Sequence, residues 1–175
     1  MRATLVVASA VLLAGCGGGG TVQPPAPAVG DTIAVTSPAF DGGQPIPPDH
    51  TCHGAGRPPE VAWRGVPAGA KSLALVVTDP DARGGTFVHW LLYDLPPRDG
   101  RLAGGRPPPG AREAGNSGGK TGWYPPCPPS GTHHYVFTVY ALREPAGGGS
   151  TQDILDAIGR AAIARGALTG LVAAG

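Results

Sequence analysis

One apolar run, Ser72-Leu73-Ala74-Leu75-Val76-Val77-Thr78-Asp79, constrains the fold of this 175-residue chain more than any other feature. A strand with one wet face alternates apolar and polar side chains, and this run is apolar at both parities. Read as a strand bounded by turn residues, it must be covered on both faces. Two further runs have strand character, Thr86 to Leu95 and Tyr135 to Leu142, with shorter ones at 32–36, 61–63 and 167–172. In the second strong strand, alternation places Phe87, His89, Leu91, Tyr93 and Leu95 on one face and Val88, Trp90, Leu92 and Asp94 on the other. Thirty glycines and twenty-one prolines lie mostly between these runs, so turns and ordered loops connect them rather than long helices. The long connection 96–131 is of a length that usually carries function or some mobility.

Near the C-terminus the pattern changes. Ser150-Thr151-Gln152-Asp153 has the form of a capping box, and Ile154, Ile158 and Ala162 follow at helical spacing with Leu155 and Ala161 alongside. Gly166 is the expected stop of this helix, and Ala167 to Val172 the closing strand. The expectation is a mainly β domain of packed sheets with one short C-terminal helix.

The first sixteen residues read as an address. Met1-Arg2 is followed by an apolar stretch too short to span a bilayer, and Leu13-Ala14-Gly15-Cys16 has the form of a bacterial lipobox with Cys16 as the lipidated residue. Residues 17–30 are rich in Gly and Pro and read as a disordered linker, which leaves 31–175 as a single domain. Such a protein is expected at the cell membrane, tethered by lipid on the extracytoplasmic face. The net charge is +1 and no Lys/Arg cluster occurs, so a nucleic-acid partner is not expected. With Cys16 set aside, Cys52 and Cys127 are either a disulfide closing a loop of about 75 residues or two buried thiols.

The residues that carry chemistry cluster in two short stretches. Asp79-Pro80-Asp81 precedes Phe87-Val88-His89-Trp90, and Cys127-Pro128-Pro129-Ser130-Gly131-Thr132 precedes His133-His134-Tyr135. Carboxylates and imidazoles delivered this way suit a small polar pocket for a phosphate-like anion. A carboxylate from the Asp-Pro-Asp turn is expected to hold the His89 tautomer, with Asp79 in the pocket and Asp81 divided between pocket and turn. His133 shares the parity of Tyr135 and His134 does not, so only His133 should face a pocket. Ser130-Gly131-Thr132 could aim backbone amides at an oxyanion. Two carboxylates repel an anion unless a histidine is charged, so binding should tighten as pH falls towards about 6. His50, Cys52 and His53 lack zinc-finger spacing, and no metal is expected. No Gly-x-Ser-x-Gly and no identifiable nucleophile argue against a hydrolase.

Taken in order, Ser37-Pro38-Ala39-Phe40, Ile46-Pro47, Thr51-Cys52, Ser72-Leu73-Ala74-Leu75, Asp79-Pro80-Asp81-Ala82, Phe87-Val88-His89-Trp90, Cys127-Pro128-Pro129 and His133-His134-Tyr135 resemble the bacterial branch of the phosphatidylethanolamine-binding protein family, the Raf kinase inhibitor-like proteins. The resemblance spans about residues 33 to 173. It implies a β-sandwich of two sheets with a small cavity at one end, binding phosphate, phosphoryl head groups or similar anions without catalysis or a cofactor. The implied ligand-binding residues are Asp79, Asp81, His89, His133 and Tyr135, with backbone from Pro128 and Pro129. It also implies an alternative, an inhibitor or interaction protein acting on a protease or signalling partner. The chain departs from the family pattern at His53, at Arg57, at Pro125-Pro126 and at His134, which bears on rim chemistry and ligand choice.

Overall fold

The computed structural model describes residues 30 and 32–175; the expected signal sequence, Cys16 and residues 17–29 of the expected linker lie outside the described residues. The described residues form eight strands: β1 (Ala34–Thr36), β2 (Ala62–Arg64), β3 (Ser72–Asp79), β4 (Phe87–Leu95), β5 (Gly100–Arg101), β6 (Arg112–Glu113), β7 (Thr132–Leu142) and β8 (Ala162–Ala173). Among the described residues one α-helix, α1 (Thr151–Ala161), precedes β8. The strands form two antiparallel sheets, a small one in the order β1-β2-β5 and a large one in the order β6-β4-β3-β7-β8. The fold is the expected β-sandwich with a short helix.

β3 lies at the centre of the large sheet and is buried along its whole length. Leu73, Leu75 and Val77 face the small sheet, in a core with Val35, Trp63, Trp90, Leu92, Phe137 and Val139. Ala74 and Val76 face the other way, into a second core built on Ile154, Leu155 and Ile158 of α1. The helix is therefore the cover that the apolar second face of β3 requires. Ser150 and Asp153 form a capping box at its start, with Ser150 Oγ accepting from the Asp153 amide at 3.2 Å and Asp153 Oδ2 accepting from the Ser150 amide at 2.9 Å.

Two expectations are corrected. Gly166 does not end the helix: α1 stops at Ala161, Ala162 is already extended, and Gly166 lies within β8. Glycine is needed there for close approach, because any Cβ would collide with the carbonyl oxygen of Ile33. β4 also does not alternate simply. Thr78 pairs with Val88 while Val77 pairs with Trp90, so His89 is an extra residue, and a second irregularity separates Leu92 from Leu95. Across the first bulge His89 and Trp90 both lie on the small-sheet side, where Trp90 joins the inter-sheet core, while Leu91 and Tyr93 join the helix-side core. Asp94, in the second irregularity, has φ 56°, a conformation that Asp tolerates better than β-branched residues do.

The connection 96–131 is ordered by specific bonds. Asn116 Oδ1 accepts from the amides of Gly118 and Lys120, and Asn116 Nδ2 donates to Gly122 O. The strap then pairs with the bulged start of β4: Ser117 N donates to Val88 O at 2.9 Å, and Tyr124 N donates to His89 O at 2.9 Å. Cys52 and Cys127 form a disulfide with a Cα–Cα distance of 5.4 Å, which ties the segment after β1 to the end of this strap.

Candidate functional site

The bulge in β4, the end of β3, the start of β7 and the Pro-rich end of the strap surround one hollow of about 250 Å³. It is lined by Asp79, His89, His133 and Tyr135 at its polar side and by Phe87, Tyr124, Pro128 and Pro129 at its apolar side, with Ala82, Arg83 and Cys127 completing it. Of the residues expected at the site, Asp79, His89, Pro128, Pro129, His133 and Tyr135 are brought together. Asp81 is not.

Asp81 instead pairs with His134 outside the hollow. Its Oδ2 accepts from the amide and from Nδ1 of His134, both at 2.8 Å. The side chains of His134 and Asp81 are 55% and 41% exposed, whereas those of His133 and Asp79 are 11% and 5% exposed. Two Asp–His pairs thus lie across neighbouring ends of β3 and β7, one wet and one buried. The His134 amide and ring, both donating to it, hold the pKa of Asp81 below the usual carboxylate range.

Asp79 does two jobs at once. Its Oδ1 accepts from the Asp81 amide at 2.8 Å, closing the Asp-Pro-Asp turn, and its Oδ2 accepts from His133 Nδ1 at 2.7 Å. The carboxylate expected to hold His89 therefore holds His133. His89 Nδ1 donates to the Tyr124 carbonyl at 2.8 Å instead. The bulge turns the ring towards the strap, whose carbonyl it meets, and away from the Asp-Pro-Asp turn.

Both imidazoles thus spend their Nδ1 proton on the protein, which leaves Nε2 of each as the nitrogen available to a ligand. Burial holds His89 below the ordinary imidazole range, opposed by the Tyr124 carbonyl and by Asp79. Tyr135, edge-on to His89 with ring centroids 5.0 Å apart, has its hydroxyl pushed far above the usual phenol range by burial and by the Asp79 carboxylate. The hydroxyl keeps its proton at neutral pH and shares it with the Asp79 carboxylate. Phe87 stacks obliquely on His89 at 4.6 Å and on Tyr124 at 5.3 Å, forming an aromatic collar. Arg83, exposed at the rim, is the one lining residue that carries a fixed positive charge, and its Nη2 lies 3.5 Å from Ser130 Oγ.

Ser130, Gly131 and Thr132 do not line the hollow; Gly131 O accepts from the Ala174 amide at 2.8 Å and so closes the β7–β8 pairing. Sequence reasoning missed Arg83, Phe87 and Tyr124 as lining residues. Phe87 was legible as the neighbour two positions before His89. Tyr124 had no local signal, because only the path of the strap brings it to β4. His50 Nδ1 meets the Arg57 carbonyl at 2.9 Å, and Arg57 pairs with Asp49 at the surface.

A family profile described as "Phosphatidylethanolamine-binding protein" matches residues 36–173. The chain is 43% identical over 190 residues to "Putative lipoprotein LppC" of Mycobacterium tuberculosis, across 96% of this chain and 93% of that protein. The crystal structure of Escherichia coli YbcL, titled a new member of the mammalian PEBP family, superimposes with a TM-score of 0.76 at 29% identity, over 82% of this chain and 99% of that one. The "Putative PhosphatidylEthanolamine-Binding Protein (PEBP) Homolog CT736" of Chlamydia trachomatis superimposes with a TM-score of 0.74 at 36% identity, over 81% of this chain and 97% of its own. Family profile, relatives and fold agree, and the chain belongs to the phosphatidylethanolamine-binding protein family.

Proposed function

We propose that this protein is a lipid-anchored, extracytoplasmic binding protein, without catalytic activity of its own, whose hollow receives a phosphate, a phosphoryl head group or a similar oxyanion. The observation that carries this reading is the gathering of His89, His133, Tyr135 and Arg83 around one hollow of about 250 Å³, with Nδ1 of both imidazoles already bonded to the protein. That volume suits a phosphoryl group with a short substituent better than a whole lipid. Support for the anchor comes from the relative named as a lipoprotein, matched over 96% of this chain, and from the lipobox at Cys16. No described helix is long and apolar enough to cross a membrane. Gly30 meets Arg165 at the start of β8, whereas His133 pairs with Val172 near its end. The tether thus joins the domain roughly 24 Å along the strand from the hollow.

The hydrogen bonding sets the pH dependence. A neutral imidazole whose Nδ1–H is already donated offers only a lone pair at Nε2, which repels a fully ionised oxyanion. Protonation of Nε2 turns it into a charge-assisted donor, so an anion is bound together with a proton. Sulfate keeps its charge over the relevant range and isolates the protein's contribution. Titration calorimetry with sulfate should show affinity rising at least about fivefold between pH 7.5 and 5.5 in wild type, and less in His89→Gln. Without an anion the sign for stability is opposite. Because folding depresses His89, the unfolded chain takes up the proton first as pH falls through about 6.5, and stability is lost with acid.

Arg83 supplies the fixed charge, so Arg83→Ala should weaken binding of phosphoethanolamine about tenfold, the value of one charge-assisted bond. Calorimetry showing no binding of phosphate, phosphoethanolamine or sulfate at millimolar concentration would overturn the proposal.

A further inference from the structure

The disulfide has features of a reactive bond. Cys52 and Cys127 are both exposed to solvent, and Cys127 is part of the wall of the hollow, so a thiolate can reach it. The environment is also asymmetric. His53 Nε2 lies 3.8 Å from Cys52 Sγ, whereas the ring contact given for Cys127 is made by its backbone, to the Tyr135 hydroxyl. Gly175 packs against the His53 ring so closely that a Cβ there would overlap it, which limits where the ring can move. A neighbouring imidazole stabilises a thiolate, and a stabilised thiolate leaves faster in exchange.

We infer that the Cys52–Cys127 bridge is a thiol–disulfide exchange centre, opened by a dithiol reductant that attacks Cys127 and expels Cys52 beside His53. In the first step the reductant's thiolate bonds to Cys127 Sγ, the bond between the two cysteines breaks, and its electron pair leaves on Cys52 Sγ. In the second step the reductant's other thiolate attacks its own sulfur in the mixed disulfide and releases Cys127 as a thiolate. Each released thiolate takes a proton from solvent. The protein gains two electrons and two protons, and the dithiol becomes a disulfide.

The opened bond frees the wall. Cys127 follows Tyr124 by a few residues, and Tyr124 holds both the backbone and the ring of His89. Pro128 and Pro129, directly after Cys127, form the apolar side of the hollow. Apart from the disulfide, the direct tie from Cys52 to this strap is the hydrogen bond that its N–H donates to the Pro126 carbonyl at 3.0 Å. Reduction therefore loosens the collar and the Tyr124 carbonyl that orients His89. This consequence rests on the anion-binding reading; the exchange chemistry does not.

The test uses the full, oxidised chain under native conditions. Dithiothreitol is added, thiols are trapped by alkylation, and the peptides carrying Cys52 and Cys127 are followed by mass spectrometry. Reduction should proceed within about tenfold of the rate for the same chain in guanidinium, and His53→Gln should slow the native reaction about three- to tenfold. Reduction only at the rate of global unfolding, or an unchanged rate in His53→Gln, overturns the inference. So does loss of the near-ultraviolet circular dichroism of the buried tryptophans on reduction, because the bridge would then be a structural staple. In the second arm, calorimetry with inorganic phosphate compares the oxidised and reduced forms. At least about fivefold weaker binding after reduction supports the coupling, and equal affinities overturn it. Absence of binding to the oxidised form overturns the anion reading and the coupling together, while the exchange rates still decide the reactivity of the bridge.

Discussion

Asp79→Ala is expected to destabilise the protein by about 3–5 kcal/mol and to abolish phosphate binding, the larger part of both effects arising from groups left behind. The carboxylate is 5% exposed at its side chain and accepts from the Asp81 amide and from His133 Nδ1. It also meets the Tyr135 hydroxyl. Removing it strands three donors, two of them on buried residues, in a place that water enters poorly. Asp79→Asn separates the roles. Its amide oxygen can still accept from Asp81 and close the turn, but its amino group then faces the His133 Nδ1 proton. Guanidinium unfolding at pH 7 should show Asp79→Asn recovering part of the stability, while calorimetry shows phosphate binding still impaired. Full recovery of both would mean that the charge on Asp79 has no part in orienting His133.

The second large effect belongs to the residue beside His89. Trp90 is 1% exposed, sits in the inter-sheet core, and crosses Trp123 edge-on with ring centroids 5.7 Å apart. Trp90→Ala should cost about 3–5 kcal/mol in chemical denaturation, since the sheets cannot close fully over the void. Trp90→Phe keeps most of the contact and loses the indole N–H donated to Glu113 Oε1 at 2.7 Å, so a cost of about 1–2 kcal/mol is expected. If Trp90→Phe proved as harmful as Trp90→Ala, the ion-supported hydrogen bond and not packing would dominate.

The elements that the residues announce locally are those whose burial is decided within a few positions. β3 begins and ends where its apolar run does, and the capping box of α1 forms between the two residues that define it. The parity of β7 places His133 and Tyr135 in the hollow and His134 outside it. β4 is the counterexample. Its bulge at His89 is set by the unequal spacing of its partners on β3, and nothing in Phe87-Val88-His89-Trp90 by itself marks which residue is extra. The helix end is another. Gly166 looks like a stop, but its small size is required by the Ile33 carbonyl, which arrives from more than a hundred residues away.

Short-range patterning thus determined the longer strand runs, the helix and its cap, the class of fold, and the types of side chain gathered near the ends of three strands, but not the two-residue strands β5 and β6 within the connection 96–131. Tertiary structure alone decided which carboxylate meets which imidazole, and it set Arg83, Phe87 and Tyr124 around the hollow. The physical reason is one of range. Periodicity and capping are satisfied by neighbours in the chain, whereas the partners of Asp79 and His89 are delivered by β7 and by the strap, 54 and 35 positions away.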